Sequence, residues 1–143
     1  MSWPDRLPAD TAVKWPVSTL DLTPTFLAAA GAPPMKGADG MDLLPYLEPV
    51  TSKTGPDRAL YWRFYTQWGR EKAVRRGPWK WIEAARLKGG NALFNIAHDS
   101  SERKNLIAEH PDIATSLEKE FTDWNKALAD PKWVTLYPEK SGD

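Results

Sequence analysis

Basic side chains and tryptophans are concentrated between residues 70 and 88, which makes this stretch the best suited to bind a ligand. Its only acidic residues are Glu71 and Glu83, whereas its basic residues are Arg70, Lys72, Arg75, Arg76, Lys80, Arg86 and Lys88. Trp68, Trp79 and Trp81 lie in or beside this stretch. Positive charge beside indole rings can bind a sulfated glycan or single-stranded nucleic acid by ion pairing and stacking. The candidates for binding an anion, or for lying near a substrate, are Arg75, Arg76 and Lys80.

A second interpretation of the same stretch needs no ligand. Aromatic residues are common in small half-buried sheets, so the charges could lie on a solvent-facing side with the tryptophans in the core. The whole chain carries nineteen Lys and Arg and nineteen Asp and Glu, and therefore no net charge. Since this balance produces no field that favours nucleic acid or an anionic membrane, neither is predicted as a partner.

Residues of types that act in catalysis or metal binding occur elsewhere, but not in a useful pattern. The two histidines stand at His98, before Asp99, and at His110, two residues before Asp112. Neither pair has the spacing of a tight metal site, so turn and helix-start roles are expected. The best-placed serine, Ser18, is expected to cap a helical turn. The sequence has no cysteine, and we assign no catalytic, cofactor-binding or metal-binding residue.

The length and composition fit a folded domain. A chain of 143 residues can bury a real core. No apolar run approaches the roughly 18 residues that span a bilayer, so a membrane is again not predicted. No signal peptide is recognised, because residues 1–16 lack an apolar segment and contain several prolines. These features leave the compartment unassigned.

The first half of the chain is expected to contain little regular structure. Ser18 and Asp21 have the spacing of a capping box, which favours a helical turn. A short helix is expected from about Pro24 to Ala30, with Gly31 as its left-handed end. A proline-rich connection follows over residues 32–57.

The second half predicts a sheet followed by a long helix. Strand-forming stretches occur at Arg58–Tyr65, Glu71–Arg76, Trp79–Glu83 and Asn91–Asn95. Their short connections favour an antiparallel meander. From Pro111 a stripe at helical spacing predicts core packing by Ile113, Leu117, Phe121, Trp124 and Leu128. The predicted fold class is α+β: a roughly four-stranded antiparallel sheet packed against a long C-terminal helix, with a short N-terminal helix and a Pro-rich connection.

An ordered series of short motifs resembles the C-terminal part of sulfatases of the alkaline-phosphatase-like superfamily. The first motifs are Trp3-Pro4, then Ser18, Asp21, Pro24-Thr25, Leu27 and Gly31, then Asp39-Gly40 and Leu43 to Leu47. The later ones are Tyr61-Trp62, Ala73 to Gly77, Trp79-Lys80, and Leu93 to Ile96 with Asp99, Glu102, Asn105 and Leu106. The matches run from about residue 3 to residue 128. Each motif is weak alone, and their order makes the resemblance specific.

The resemblance implies a parent enzyme that hydrolyses sulfate esters. Such an enzyme needs a Cys or Ser matured to formylglycine, a calcium ion, and Lys and His residues that hold the sulfate. The chain has no cysteine, no Ser-x-Pro-x-x-Arg pattern and no carboxylate cluster with the spacing of a cation site. Calcium and formylglycine are therefore implied for a full-length parent, and no cofactor is implied for this chain. The resemblance thus predicts a truncated C-terminal fragment that supports an absent catalytic domain and is inert alone. A periplasmic or secreted parent is also compatible with the family.

The same resemblance predicts how the chain is divided. Residues 1–50 would be a linker and edge segment belonging to the catalytic domain, and residues 51–143 the sulfatase C-terminal α+β subdomain. Without its docking surface, the 1–50 segment could pair two chains as a homodimer by swapping. The alternative function is a non-catalytic binding or assembly module, whose tryptophan-rich and basic surface would bind sulfated glycans, for example. The eight tryptophans would then include several exposed indoles.

Overall fold

A computed structural model describes residues 2–7, 9–47, 55–66 and 69–129. The sequence also favours a turn at Gln67 to Gly69, of which residues 67 and 68 lie outside the described residues. The chain forms two compact units, Met1–Asp57 and Arg58–Asp143. The boundary predicted near residue 50 stays a prediction about domains. No helix in the described residues is long and apolar enough to cross a membrane.

The first unit is organised by a capped turn, as predicted. Ser18 precedes a 3₁₀ turn over Thr19–Asp21, and the reciprocal hydrogen bonds of a capping box are present. Helix α1 follows at Leu22–Ala29, two residues earlier than predicted. The chain leaves this helix through Gly31, whose φ of 66° is left-handed. Helix α2 is the single turn Leu44–Leu47.

Two buried polar side chains join α1 to the segment that leads into α2. Asp21, which is fully buried, accepts hydrogen bonds from the backbone N–H groups of Ser18 at 2.7 Å and Met41 at 3.1 Å. Thr25 donates its hydroxyl to the Asp21 carbonyl at 2.7 Å and accepts the Leu43 N–H at 3.0 Å. These residues belong to the sulfatase-like motifs, and their role here is to hold two segments of backbone together.

Gly40 allows those two segments to approach. A Cβ added at this glycine would lie 2.0 Å from the backbone oxygen of Leu20, which cannot move away as a flexible side chain could. A side chain is therefore excluded by contact with backbone, and the Asp39-Gly40 motif has a packing explanation.

The second unit begins with a four-stranded antiparallel sheet. The strands are β1 (Ala59–Thr66), β2 (Gly69–Arg76), β3 (Trp79–Glu83) and β4 (Asn91–Asn95), paired in sequence order. Helix α3 follows at Pro111–Lys126. The predicted α+β fold is confirmed, with the bounds of β3 and β4 as the sequence indicated.

One face of the sheet is covered by α3. Its core contains Val74, Trp81, Leu93, Leu117 and Phe121, all at most 4% exposed. The helical stripe is partly different from the prediction. Trp124 is only half-buried, although its ring stacks on Tyr61 with centroids 4.8 Å apart. Leu128 lies beyond the end of α3 and is exposed, because the helix ends at Lys126.

Among the described residues, the opposite face is covered mainly over β3 and β4. Ile82, Ala92 and Phe94 are buried there, with Ala84 and Leu87 from the connection after β3 packed against them. On β1 the residues of this face are Leu60, Trp62 and Phe64, because alternate residues of a strand point to the same side. Within the part of the chain that the structure describes, the coverage of this face therefore stops before its β1 edge.

Candidate binding surface

The structure places the three candidate anion-binding residues on two different faces of the sheet. Arg75 and Lys80 are directly opposite each other on β2 and β3. Both lie on the face that α3 does not cover, since Arg75 is also opposite Leu60. Arg76 is the neighbour of Arg75 in the same strand and therefore points to the α3 side. The three side chains do not form one cluster.

Arg76 is engaged with the helix. Its Nε and Nη2 donate to the two carboxylate oxygens of Glu120, at 3.2 and 2.5 Å. The hydroxyl of Tyr61 donates to the same carboxylate at 3.1 Å. Burial, followed by this hydrogen bond, raises the pKa of Tyr61 to about 12. This arrangement connects β1, β2 and α3.

Arg75 and Lys80 differ in their partners. The ammonium group of Lys80 lies 2.5 Å from a carboxylate oxygen of Glu102. Arg75 donates from Nε to the carbonyl oxygen of Gly77 at 3.3 Å. No carboxylate of the described residues forms an ion pair with Arg75. Two like charges therefore face each other across the strands with one counter-ion between them.

The side chains of Leu60, Trp62 and Phe64 form an apolar strip beside Arg75; we call these three residues the β1 strip. Trp62 is 48% exposed and Phe64 is 64% exposed. The residues paired across the sheet in line with Trp62 are less exposed: Ile82 on β3 is 9% exposed and Ala92 on β4 is 2% exposed. Among the described residues, the open part of this face is thus its β1 side, and contiguous exposed apolar surface is a feature of protein interaction sites.

Most of the tryptophans in the described residues are at least partly covered. Trp81 is buried, whereas Trp3, Trp15, Trp79 and Trp124 are half-buried. Trp62 is the exposed one among the six that the structure describes, and Trp68 and Trp133 lie outside them. A platform of several exposed indoles is therefore not seen in this part of the chain.

The other polar residues of interest have structural contacts. Asp99 accepts the backbone N–H groups of Arg103 at 2.8 Å and Lys104 at 2.9 Å, which closes a turn. Asn105 accepts the N–H groups of Leu93 and Ile107, each at 3.0 Å, and so ties this loop to β4. The ring of His110 contacts Trp79, with centroids 4.9 Å apart.

The described residues also do not fit the calcium ion and formylglycine of a sulfatase. Among them no three His, Cys, Asp or Glu side chains are grouped so that they could hold a metal ion. The sequence has no cysteine that could be matured to formylglycine. No hydrolytic step can therefore be derived from these side chains.

A shallow groove of about 330 Å³ lies between the turn after β2 and the first half of α3. It is lined in part by Arg76, Trp79, Asp112, Ser116 and Glu120. Its charged groups have both signs, and Arg76 and Glu120 already bond to each other. These groups select no single class of ligand, so we assign the groove no binding role.

Comparison with known proteins identifies the class to which this sheet and helix belong. The family model described as N-sulphoglucosamine sulphohydrolase, C-terminal, matches residues 1–127. The chain therefore belongs to this family of sulfatase C-terminal regions. Arylsulfatase K of Danio rerio is 32% identical over 113 residues, which are 75% of this chain and 21% of that protein.

Solved structures show the same architecture. Ps i-CgsB in complex with k-i-k-neocarrahexaose is similar over 92% of this chain, with a TM-score of 0.80 and 28% identity. BT4656 in complex with its substrate D-glucosamine-2-N,6-O-disulfate is similar over 74% of this chain, with a TM-score of 0.60 and 25% identity. This chain covers 29% of the first protein and 23% of the second, so it spans less than a third of these relatives.

Proposed function

We propose that this chain acts as the C-terminal region of a sulfatase, supports the catalytic domain, and is inert as a sulfatase alone. The observation that carries the proposal is the β1 strip, a strand edge with two exposed aromatic side chains in a chain of this family. A catalytic domain that packs on the strip would cover what α3 leaves open. The partner is thus a sulfatase catalytic domain.

Both units leave apolar side chains in contact with water. Fully burying one side chain the size of Phe is worth roughly 1.5–3 kcal/mol relative to leaving it in water. Trp62 keeps 48% and Phe64 keeps 64% of its surface in water. In the first unit Leu22 and Phe26, four residues apart on α1, are exposed as well. A larger protein that covers these surfaces would be stabilised by them.

The proposed inactivity rests on the chemistry of sulfate ester hydrolysis. The resemblance assigns the nucleophile to formylglycine and the charge stabilisation to calcium. The sequence has no cysteine, and the described residues contain no three His, Cys, Asp or Glu side chains grouped to hold a metal ion. Purified chain should therefore not hydrolyse an aryl sulfate above the uncatalysed rate, with or without calcium. Turnover that follows the chain through purification would contradict the proposal.

A chimera tests the supporting role directly. The matched C-terminal region of Ps i-CgsB would be replaced by this chain and compared with the same enzyme ending before that region. We expect the chimera to be soluble and to keep the activity of unaltered Ps i-CgsB, and the shortened enzyme to be insoluble or unstable. Trp62→Ala with Phe64→Ala should lower the yield and thermal stability of the chimera.

Two controls make the chimera informative. Leu128→Ala removes an exposed apolar side chain outside the β1 strip and should leave the chimera unchanged. In the isolated chain, Trp62→Ala with Phe64→Ala should change the free energy of unfolding by no more than about 0.5 kcal/mol, as is usual for exposed positions. Equal losses in the chimera and in the isolated chain would mean that the strip stabilises the subdomain itself and does not contact a catalytic domain.

The second candidate function is binding of a sulfated glycan, which is favoured by Arg75 and Trp62 on the same face. Quenching of Trp62 fluorescence by a sulfated oligosaccharide, and not by its unsulfated counterpart, would support it.

A homodimer formed through residues 1–50 is a further proposal about partners. Sedimentation of the isolated chain over a range of concentrations tests it.

A further inference from the structure

The cross-strand pair of Arg75 and Lys80 is electrostatically incomplete. Directly opposite residues on one face of an antiparallel pair have Cβ atoms about 4.5–5.5 Å apart, where like charges are destabilising. Glu102 neutralises Lys80 at 2.5 Å. Within the described residues, the guanidinium of Arg75 donates one hydrogen bond, from Nε to the Gly77 carbonyl at 3.3 Å. One positive charge of the pair thus remains without a counter-ion in the described residues.

Among the described residues, three neighbouring cations, unlike Arg75, have a carboxylate partner. Lys72 is 2.5 Å from Glu83, Arg76 is 2.5 Å from Glu120, and Arg86 is 2.9 Å from Glu71. Each of these strand or strand-connection cations has a carboxylate. Arg75 has no carboxylate partner among the described residues. Its cross-strand neighbours on the same face are Lys80 on β3 and Leu60 on β1.

Arg75 lies beside the β1 strip, so a partner that covers the strip would also meet its charge, which is unpaired among the described residues. Arg75 is opposite Leu60 and diagonal to Trp62 on the same face. A protein surface that covered Trp62 would also remove water from the guanidinium. Burying a charge without a partner is strongly unfavourable, so a complementary surface must bring an anion to this position. The unused Nη groups of Arg75 match the two oxygens of a carboxylate.

We propose that Arg75 and Lys80 form the docking site for an Asp or Glu carboxylate of the sulfatase catalytic domain, at the margin of the β1 strip. The inference rests on the proposed function and adds the chemistry of the partner surface. That surface is apolar where it covers Trp62 and Phe64, and it carries a carboxylate where it meets Arg75. The bound carboxylate would neutralise the charge of Arg75. Assembly with the catalytic domain would therefore remove the repulsion between Arg75 and Lys80.

The strip itself favours a protein carboxylate over the sulfate group of a glycan. Leu60 and Phe64 offer no polar atom to a hydroxylated ligand, and Trp62 is the exposed indole in the part of the chain that the structure describes. An aromatic and aliphatic row beside one Arg is instead typical of the centre of a protein interface, where Trp and Arg are enriched.

The test compares Arg75→Gln in two contexts, the isolated chain and the chimera with Ps i-CgsB. In the isolated chain the substitution removes a repulsion, so the midpoint of urea unfolding should stay the same or rise. In the chimera it leaves the partner carboxylate unpaired, so heat inactivation should become about tenfold faster or more. Arg75→Lys should be intermediate, because an ammonium group cannot make the bidentate contact.

A charge reversal identifies the carboxylate. Arg75→Glu should destabilise the chimera more than Arg75→Gln, and changing one Asp or Glu of the catalytic region to Lys should restore its stability. The matched control is Lys88→Gln, because Lys88 is exposed on the turn before β4 and outside the strip. This control should change neither protein.

The possible results separate the two proposals. An unsubstituted chimera no more stable than the shortened enzyme would overturn the proposed function and this docking site together. A stable chimera in which Arg75→Gln has the same effect as in the isolated chain would overturn the docking site alone. Binding of a sulfated oligosaccharide that is lost with Arg75→Gln, in a chimera whose stability is unaffected, would assign the site to a glycan.

Discussion

Arg76 on β2 and Glu120 on α3 form a two-point contact in which Nε and Nη2 of the arginine each donate to a separate carboxylate oxygen. The pair is half-exposed, with 39% of the arginine side chain and 26% of the glutamate side chain in contact with solvent. It connects the strand that carries Arg75 to the helix that covers the other face of the sheet. Because the contact is bidentate, it fixes the orientation of α3 as well as its distance.

The first prediction concerns the strength of this pair. A double-mutant cycle with Arg76→Gln and Glu120→Gln should give a coupling energy of about 0.5–1 kcal/mol, since partly exposed pairs are screened by solvent. Urea unfolding at low and high salt measures it, and the coupling should decrease at high salt. Lys119→Gln with Asp123→Asn, an exposed pair within α3, serves as the comparison and should couple more weakly. A coupling energy of zero would show that the contact between Arg76 and Glu120 does not stabilise the position of the helix.

The second prediction concerns the ionisation of Tyr61. Burial and the hydrogen bond to Glu120 raise its pKa from 10.0 to about 12. A raised folded-state pKa means that the folded protein holds the phenolic proton more tightly. The stability contributed by Tyr61 should therefore be complete below pH 10 and be lost as the pH rises towards 12. Absorbance at alkaline pH, compared with that of Tyr61→Phe, isolates this titration.

The glutamate partner tests the cause of that shift. Glu120→Gln removes the negative charge but leaves the burial, which is the largest cause. The pKa of Tyr61 should therefore fall below its value of about 12 and remain above the ordinary 10.0. A variant in which the titration does not move would exclude the contact with Glu120 as a cause.

The third prediction concerns the stripe of α3. Phe121 is 2% exposed and its ring lies against Trp81, with centroids 6.2 Å apart. Phe121→Ala should therefore lower the free energy of unfolding by about 3–5 kcal/mol. Leu128→Ala, on an exposed side chain after the helix, should change it by less than about 0.5 kcal/mol. Chemical denaturation ranks the two variants, and equal losses would contradict the observed end of the stripe.

The fourth prediction concerns the contact at Gly40. Gly40→Ala would place its methyl group against the Leu20 carbonyl, at a distance of 2.0 Å before relaxation. The hydrogen bonds from Met41 to Asp21 and from Leu43 to Thr25 should lengthen. Hydrogen exchange should become faster at those two amides, while Met35→Ala, on an exposed residue of the same connection, should leave them unchanged. Unchanged protection in Gly40→Ala would mean that the first unit tolerates the displacement.

Several local features could be predicted because their causes lie close together in the sequence. The capping box at Ser18, the left-handed Gly31 and the β3 strand Trp79–Glu83 all follow from residues within a few positions of each other. The separation of Arg75 from Arg76 was also available in principle, because neighbouring strand residues alternate between faces. Grouping them with Lys80 by charge alone missed that signal.

Contacts distant in sequence were decided by the tertiary structure. Both faces of the sheet carry apolar residues, so alternation alone could not indicate whether α3 would cover Val74 and Trp81 or Ala73 and Ile82. The same choice left Trp62 exposed and Trp124 half-buried.

The sequence by itself determined the family, the order of the main elements and several of their ends, because ordered motifs, turn residues and hydrophobic periodicity are local properties. The tertiary structure decided that Asp21 accepts the Met41 N–H twenty residues away, and that Arg76 has Glu120 while Arg75 has no carboxylate in the described chain. These outcomes depend on strand register and helix placement, which are set by the packing of the whole unit and not by any one segment.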